Sequence, residues 1–341
     1  MNKLIGMLLL TIGLMYASIA PKNSTLSELQ VLTTLQIDSS FLSTQEYKSI
    51  KSNFRELTKQ DIAEKLKSGY YFLPPLQDLL SKSVVPDMFL YLAMIESDFN
   101  INTTSDKNAK GIWQFLPYTA TLYGLKINDF VDERKDPIKS TEAALNYLTK
   151  LHNKFGKWYL AAIAYNCGEG ALQKAIENAG SDDLSVLLSD NNKYLPNESK
   201  QFIKKLIASA LFAQNSKTAN LDELSKMLNK GSSQTIASVK VNGGASLFDI
   251  AKSMYISTKE LKKYNRHLTQ DVVPPVKKDY QIYIPYNKLA LFKANYKPQK
   301  STQIVTHTIA KGESLYTIAK KYAVKIEDLK DINGLTSNNL K

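Results

Sequence analysis

Cysteine is almost absent from this chain: Cys167 stands alone among 341 residues, so no intramolecular disulfide can form. No cysteine lies near residue 20, which excludes lipid attachment at a mature N-terminal cysteine. Histidine is scarce too. His152, His267 and His307 are far apart and none sits in a metal-ligand spacing, so neither a metal nor another cofactor is expected. There is no dense basic run interleaved with aromatics, and nucleic acid is therefore not an expected partner. Beyond the N-terminus, no apolar run reaches the ~20 residues that a membrane-spanning helix needs.

What remains is a globular composition, 43% hydrophobic and 22% charged, in a chain long enough for two or three domains. The net charge of +12, from 44 Lys+Arg against 32 Asp+Glu, draws the protein toward anionic surfaces such as phospholipid or cell-wall carboxylates. The N-terminus, "MNKLIGMLLLTIGLMYASIAPKN", has a positive start at Lys3 and an apolar run over 4–20. That is the plan of a secretory signal peptide, residues 1–20, and predicts export. Ala17, Ser18 and Ala20 offer cleavage sites, although Pro21 disfavours the last of them. Left uncut, the segment is the chain's one route to a membrane.

Residues 21–82 have helical periodicity with polar breaks and read as a helical arm. Residues 83–213 are rich in helix signals and hold no convincing strand, so this domain is mainly α. Pro86 suits the first residue of a helix running toward Glu96. "SDKNAKGIW" breaks that pattern, with Asn108 and Gly111 as turn residues. A linker is expected over 214–235. From residue 236 short β-like runs appear, together with an internal repeat offset by 68 residues: "GASLFDIAKSMYISTKELKKYN" (244–265) aligns ungapped with "GESLYTIAKKYAVKIEDLKDIN" (312–333). Each copy reads as a strand, a capped helix, a turn and a second helix. The first copy, 236–286, closes on "YQIYIP" after an unusually long "HLTQDVVPPVKKD". A Lys-rich linker, 287–303, leads to the second, 304–341, which reaches Lys341 before any closing strand. The repeat resembles the LysM module, which implies a small α+β (βααβ) fold and binding of N-acetylglucosamine-containing glycans.

The stretch "YLAMIESDFN", 91–100, sets Glu96 behind an apolar lead-in. Cleaving a glycosidic bond near neutral pH needs an acid that holds its proton, and a carboxyl in apolar surroundings does so because desolvation penalises the charged form. Many glycosidases pair two carboxylates. No obvious second one stands in the motif: Asp98 is two residues on, and Asp132 and Asp136 read as capping or salt-bridging residues of a loop. Glu96-Ser97 is followed in order by "SDKNAKGIWQ" and "AYNCGEG". This series resembles the catalytic domain of the lytic transglycosylases, lysozyme-like enzymes that cut peptidoglycan, and the arrangement with LysM modules is similar to their membrane-bound type D group.

The resemblance implies a mainly α lysozyme-like catalytic domain over about 84–213 and cleavage of the MurNAc-β-1,4-GlcNAc bond. It further implies that Glu96 acts alone, first as acid and then as base on the C6 hydroxyl of the muramic sugar, leaving 1,6-anhydro-MurNAc ends. Ser97, Ser105 and Gln114 then line the cleft, and Tyr165 and Asn166 position substrate and carboxyl. The expected partners are peptidoglycan glycan strands, and the expected location is the periplasm, in association with the cell wall. Trp113, Phe115 and Tyr123 read as core or as sugar-stacking residues. Two positions depart from the family's pattern: Phe202 stands where a tyrosine is usual, and Cys167 where a small residue is common. A muramidase that uses water, or a wall-binding scaffold without catalysis, remains open at this stage.

Overall fold

The computed structural model describes residues 23–54, 64–65, 69–218, 235–276, 279–298, 307–333 and 335–340. The signal-like segment and most of the expected 214–235 linker lie outside them. The helices are, in chain order, α1 (Asn23–Leu35), α2 (Gln45–Phe54), α3 (Leu73–Ser81), α4 (Leu90–Ser97), α5 (Pro117–Leu122), α6 (Pro137–Phe155), α7 (Trp158–Cys167), α8 (Glu169–Ala179), α9 (Leu184–Leu188) and α10 (Asn197–Thr218). Next come β1 (Ile236–Val241), α11 (Leu247–Ser253), α12 (Thr258–Tyr264), β2 (Tyr280–Pro285), α13 (Leu289–Asn295), α14 (Leu315–Tyr322) and α15 (Ile326–Asn333). The protein is thus a mainly helical domain followed by small modules, of which the first carries a two-stranded sheet.

The chain forms two compact units, one of 1–58 with 148–225 and the other of 59–147 with 226–341. In the first unit, α10 packs against α1, α2 and α7. Helix α7, "WYLAAIAYNC", is buried from Trp158 through Ala164, because a helix that is apolar on every side has no face to give to water. Gln36 fixes its start: its Oε1 accepts from the Trp158 N–H at 2.9 Å, and His152 stacks on the Trp158 ring at 3.9 Å.

In the second unit, α4 is likewise apolar on all sides, and Leu90 to Met94 are all buried. Pro86 precedes a short 3₁₀ turn, Asp87–Phe89, and α4 begins only at Leu90, so the proline stands outside the helix that the sequence predicts it to open. The helix stops because Asp98 turns left-handed (φ 52°), and Phe99 repeats that conformation (φ 56°). Phe99 is thereby driven into the core against Gly69, where an added Cβ would lie 2.8 Å from the Phe99 Cβ.

The first repeat copy is built as its sequence predicts. β1 and β2 pair antiparallel, with Val239 opposite Ile282, while Ser246 caps α11 and Ser257 caps α12. Asn265 locks the second helix to β2: its Nδ2 donates to Tyr283 O at 2.7 Å and its Oδ1 accepts from Tyr283 N at 2.9 Å. The second copy repeats the helices, with a capping box from Ser314 to Thr317, and shows no strand among its described residues. The expected linker 287–303 is corrected in its first part. Leu289, Phe292 and Tyr296 fall on one face of α13, Phe292 enters the module's core, and the Tyr296 hydroxyl donates to Asn242 Oδ1 at 2.7 Å. The lysines that gave this segment its linker texture occupy the other positions.

Candidate active site

Glu96 sits in the last turn of α4, half-buried, at an open pocket of about 480 Å³. Among the described residues, Ile95 is the pocket's one apolar lining residue. The others are Glu64, Lys65, Glu96, Ser97, Asp98, Asn100 and Thr103. The apolar lead-in "YLAM" is not among these lining residues; it anchors α4 in the core, and the described residues that line the pocket beside Glu96 are mostly polar. Asp98, exposed at the helix end, pairs with Lys65 at 2.7 Å. Glu64 and Lys65 come from the segment read as a helical arm, and no local pattern ties them to Glu96. Their place at the pocket follows from tertiary folding alone.

Ser97 is buried, and its Oγ lies 3.1 Å from Ala93 O and 2.9 Å from Ile112 O. It fastens the helix that carries Glu96 to the "GIWQ" turn. That turn is formed by left-handed residues at Asn108 (φ 60°), Gly111 (φ 80°) and Gln114 (φ 48°), the first two being the turn residues the sequence marks. Ser105 is exposed and holds the turn from its outer end, accepting from the Ala109 N–H at 3.1 Å. Gln114 folds back on its own loop: its Nε2 donates to Gly111 O at 2.7 Å and lies 3.3 Å from Thr103 O. Trp113 and Phe115 are core residues, and Trp113 Nε1 donates to Thr141 Oγ1 at 2.8 Å. Tyr123 is half-buried against Tyr147, with ring centroids 4.9 Å apart.

Behind the turn lies a buried charge cluster. Arg134, 2% exposed, meets Asp132 in two hydrogen bonds of 2.8 Å, and its Nη1 also donates to Asn108 O at 2.7 Å. Burial works to raise the Asp132 carboxyl, but Arg134 and Lys110 together outweigh it and hold the group below its ordinary value. Asp136 caps α6, accepting from the Ile138 and Lys139 N–H groups at 3.0 Å. Both aspartates thus take the capping and salt-bridging roles that their sequence context suggests.

Tyr165 and Asn166 lie at the end of α7 in the first unit, both half-buried. Asn166 Oδ1 accepts from Ser199 Oγ at 2.6 Å, so Ser199, buried near the start of α10, orients the asparagine amide. Ser199 is a residue that motif reading passes over. Phe202 is buried one turn further on. Cys167 is half-buried, and burial pushes its thiol up from the usual value. Its labelling by a thiol reagent at pH 8 is accordingly expected to be at least about tenfold slower in the native chain than in the unfolded one. Equal rates would exclude a sheltered thiol.

A helical domain with a carboxylate at the end of a buried helix and a left-handed turn bound to it, followed by one βααβ module and a second copy of the repeat's helices, has the order of parts expected of an SLT-type transglycosylase domain with LysM modules. The comparisons agree segment by segment: residues 76–187 match the Transglycosylase SLT domain, 235–301 the LysM-like domain of lytic transglycosylase MltD, and 307–341 the LysM domain. Membrane-bound lytic murein transglycosylase D of Escherichia coli (strain K12) is 30% identical to this chain over 280 residues, which cover 77% of this chain and 60% of that protein. The chain thus spans about three-fifths of that relative's length. A protein of Alteromonas sp. (strain M-1) named for tributyltin chloride resistance is 40% identical over 110 residues, 32% of this chain and 51% of that one. Peptidoglycan transglycosylase gp16 of Escherichia phage T7 is 32% identical over 114 residues, 33% of this chain and 9% of that one.

Proposed function

We propose that this protein is a peptidoglycan lytic transglycosylase that cleaves the MurNAc-β-1,4-GlcNAc bond and leaves 1,6-anhydro-MurNAc ends. The observation that carries the reading is Glu96 lining the pocket at the end of a helix whose residues Leu90 to Met94 are buried. As general acid, Glu96 protonates the leaving glycosidic oxygen. The resulting carboxylate then takes the proton of the muramic C6 hydroxyl as that oxygen attacks C1, and the residue returns to its starting state without consuming water. Ser97 and Gln114 fix the turn that flanks the carboxylate, Ser105 holds that turn at its outer end, and Tyr165 and Asn166 are proposed to contact substrate. The modules at 236–286 and 304–341 are proposed to hold GlcNAc-containing glycan. The signal-like N-terminus and the positive charge fit an exported, periplasmic enzyme at the cell wall.

A hydrolytic muramidase is a second reading, favoured by one observation: Glu64 lines the same pocket, and a second carboxylate is what water activation requires. Muropeptides released from purified sacculi distinguish the two. Anhydro ends are expected, and reducing ends in their place would establish the hydrolase. Release of nothing, with binding retained, would leave a wall-binding scaffold.

A further inference from the structure

The first LysM-like module shares a core with the catalytic half of its own unit. Val131, which belongs to the loop before α6, is 2% exposed and packs among Val239, Ile250 and Ile282 of the module. The loop and the long segment after α12 pair as backbone: Val131 bridges Leu268, Asp132 N–H donates to His267 O at 2.8 Å, and Thr269 N–H donates to Phe130 O at 3.0 Å. Two side chains of the module then reach the fully buried Asp136. Tyr283 donates its hydroxyl to Asp136 Oδ1 at 2.8 Å, and His267 Nδ1 lies 3.8 Å from Asp136 Oδ2.

The contacts continue toward Glu96. Asp132 grips Arg134, whose guanidinium binds Asn108 O, and whose own carbonyl oxygen would lie 1.9 Å from a Cβ on Gly111. Gly111 N–H donates to Thr103 O at 3.1 Å, and the next residue, Ile112, receives the Ser97 hydroxyl beside Glu96. A set of buried and part-buried hydrogen bonds and close packing thus runs from the module to the pocket.

From this we infer that the first LysM-like module is a buttress of the catalytic pocket, with Tyr283 and His267 as positioning residues that act through the Asp132–Asp136 loop on the turn beside Glu96. The inference rests on reading Glu96 as the catalytic acid. The module's ordinary role would be to retain substrate. A buttress has a different effect: it sets the turnover of glycans too short to reach any second binding surface.

The test uses the full chain, with Tyr283→Phe and, as a second variant, His267→Gln. Amide hydrogen exchange is followed at Gly111 and Phe115, and kcat and KM are measured on a short soluble murein glycan. Both variants are expected to speed exchange over 103–115 and to lower kcat about tenfold with KM nearly unchanged. Faster exchange confined to 236–285, or a raised KM with kcat intact, would overturn the inference, because the module would then be only a tether. Unchanged exchange in both variants would overturn it as well. Glu96→Gln in the same assay keeps the two claims apart. If that variant stays active, the reading of Glu96 fails, whereas the exchange data still decide whether the module supports the turn.

Discussion

Glu96→Gln is expected to lower muropeptide release from sacculi by about 10³-fold or more, while the melting temperature stays within about 2 °C of the parent. A single general acid or base contributes 10²–10⁴-fold. In the proposed mechanism one carboxyl serves both steps, so the amide would lose the proton donor of the first and the acceptor of the second. In barrier terms the loss is about 4 kcal/mol. The fold is spared because the substitution keeps the side chain's shape, and α4 is anchored by Leu90 to Met94, which lie away from the pocket. More than a tenth of the parent rate in this variant would transfer the chemistry to Glu64 or Asp98, which line the same pocket. A large drop in melting temperature would mean that Glu96 supports the fold instead.

Asp132→Ala is expected to cost about 3–5 kcal/mol of stability, a loss readable as a shift of the urea midpoint. Arg134 is 2% exposed, and without the carboxylate its guanidinium remains buried with only carbonyl oxygens to face. Removing one partner of a buried pair is costly for that reason, even where the pair as a whole adds little. The same site sets an acid limit. The Asp132 carboxyl lies below its ordinary value of 3.8, so its contribution is complete above about that pH and is lost as the pH falls further. In Asp132→Ala the part of the acid sensitivity that Asp132 supplies should disappear. A cost under about 1 kcal/mol, or an unchanged acid midpoint, would refute the assignment.

The parts of this protein that can be read from its sequence are those set by nearby residues. Asn108 and Gly111 mark the turn because their conformations are left-handed, and Ser246 and Ser314 mark helix starts because a hydroxyl caps the first turn. The repeat fixes both helices of each copy through identical residues: Asn265 and Asn333 each return a side-chain hydrogen bond to the carbonyl four residues earlier, Leu261 and Leu329. What escapes is non-local. Nothing near Glu64 or Lys65 points to α4, nothing near Ser199 points to Asn166, and the pairing of 267–269 with 130–132 joins segments more than 130 residues apart. Local readings fail at two places: Pro86 precedes a 3₁₀ turn instead of opening α4, and α13 has its apolar stripe set among lysines that gave the stretch the texture of a linker.

The two left-handed residues after Ser97 bear on how a chain keeps a reacting group still. Such a conformation costs about 1–2 kcal/mol for a residue such as phenylalanine and less for aspartate, so roughly 1–2 kcal/mol of conformational strain is stored at Phe99. Glycine would relieve it, but it would forfeit the burial of the Phe99 ring, which is 1% exposed and contributes about 1.5–3 kcal/mol. Strain and burial nearly cancel in the total. Their effect on geometry does not cancel: the chain reversal two residues beyond Glu96 is held by a ring buried beside Gly69. On the proposed reading of Glu96, the aim of its carboxylate depends on a residue outside the described pocket lining, and substitution at Phe99 is expected to change the rate while those lining residues stay the same.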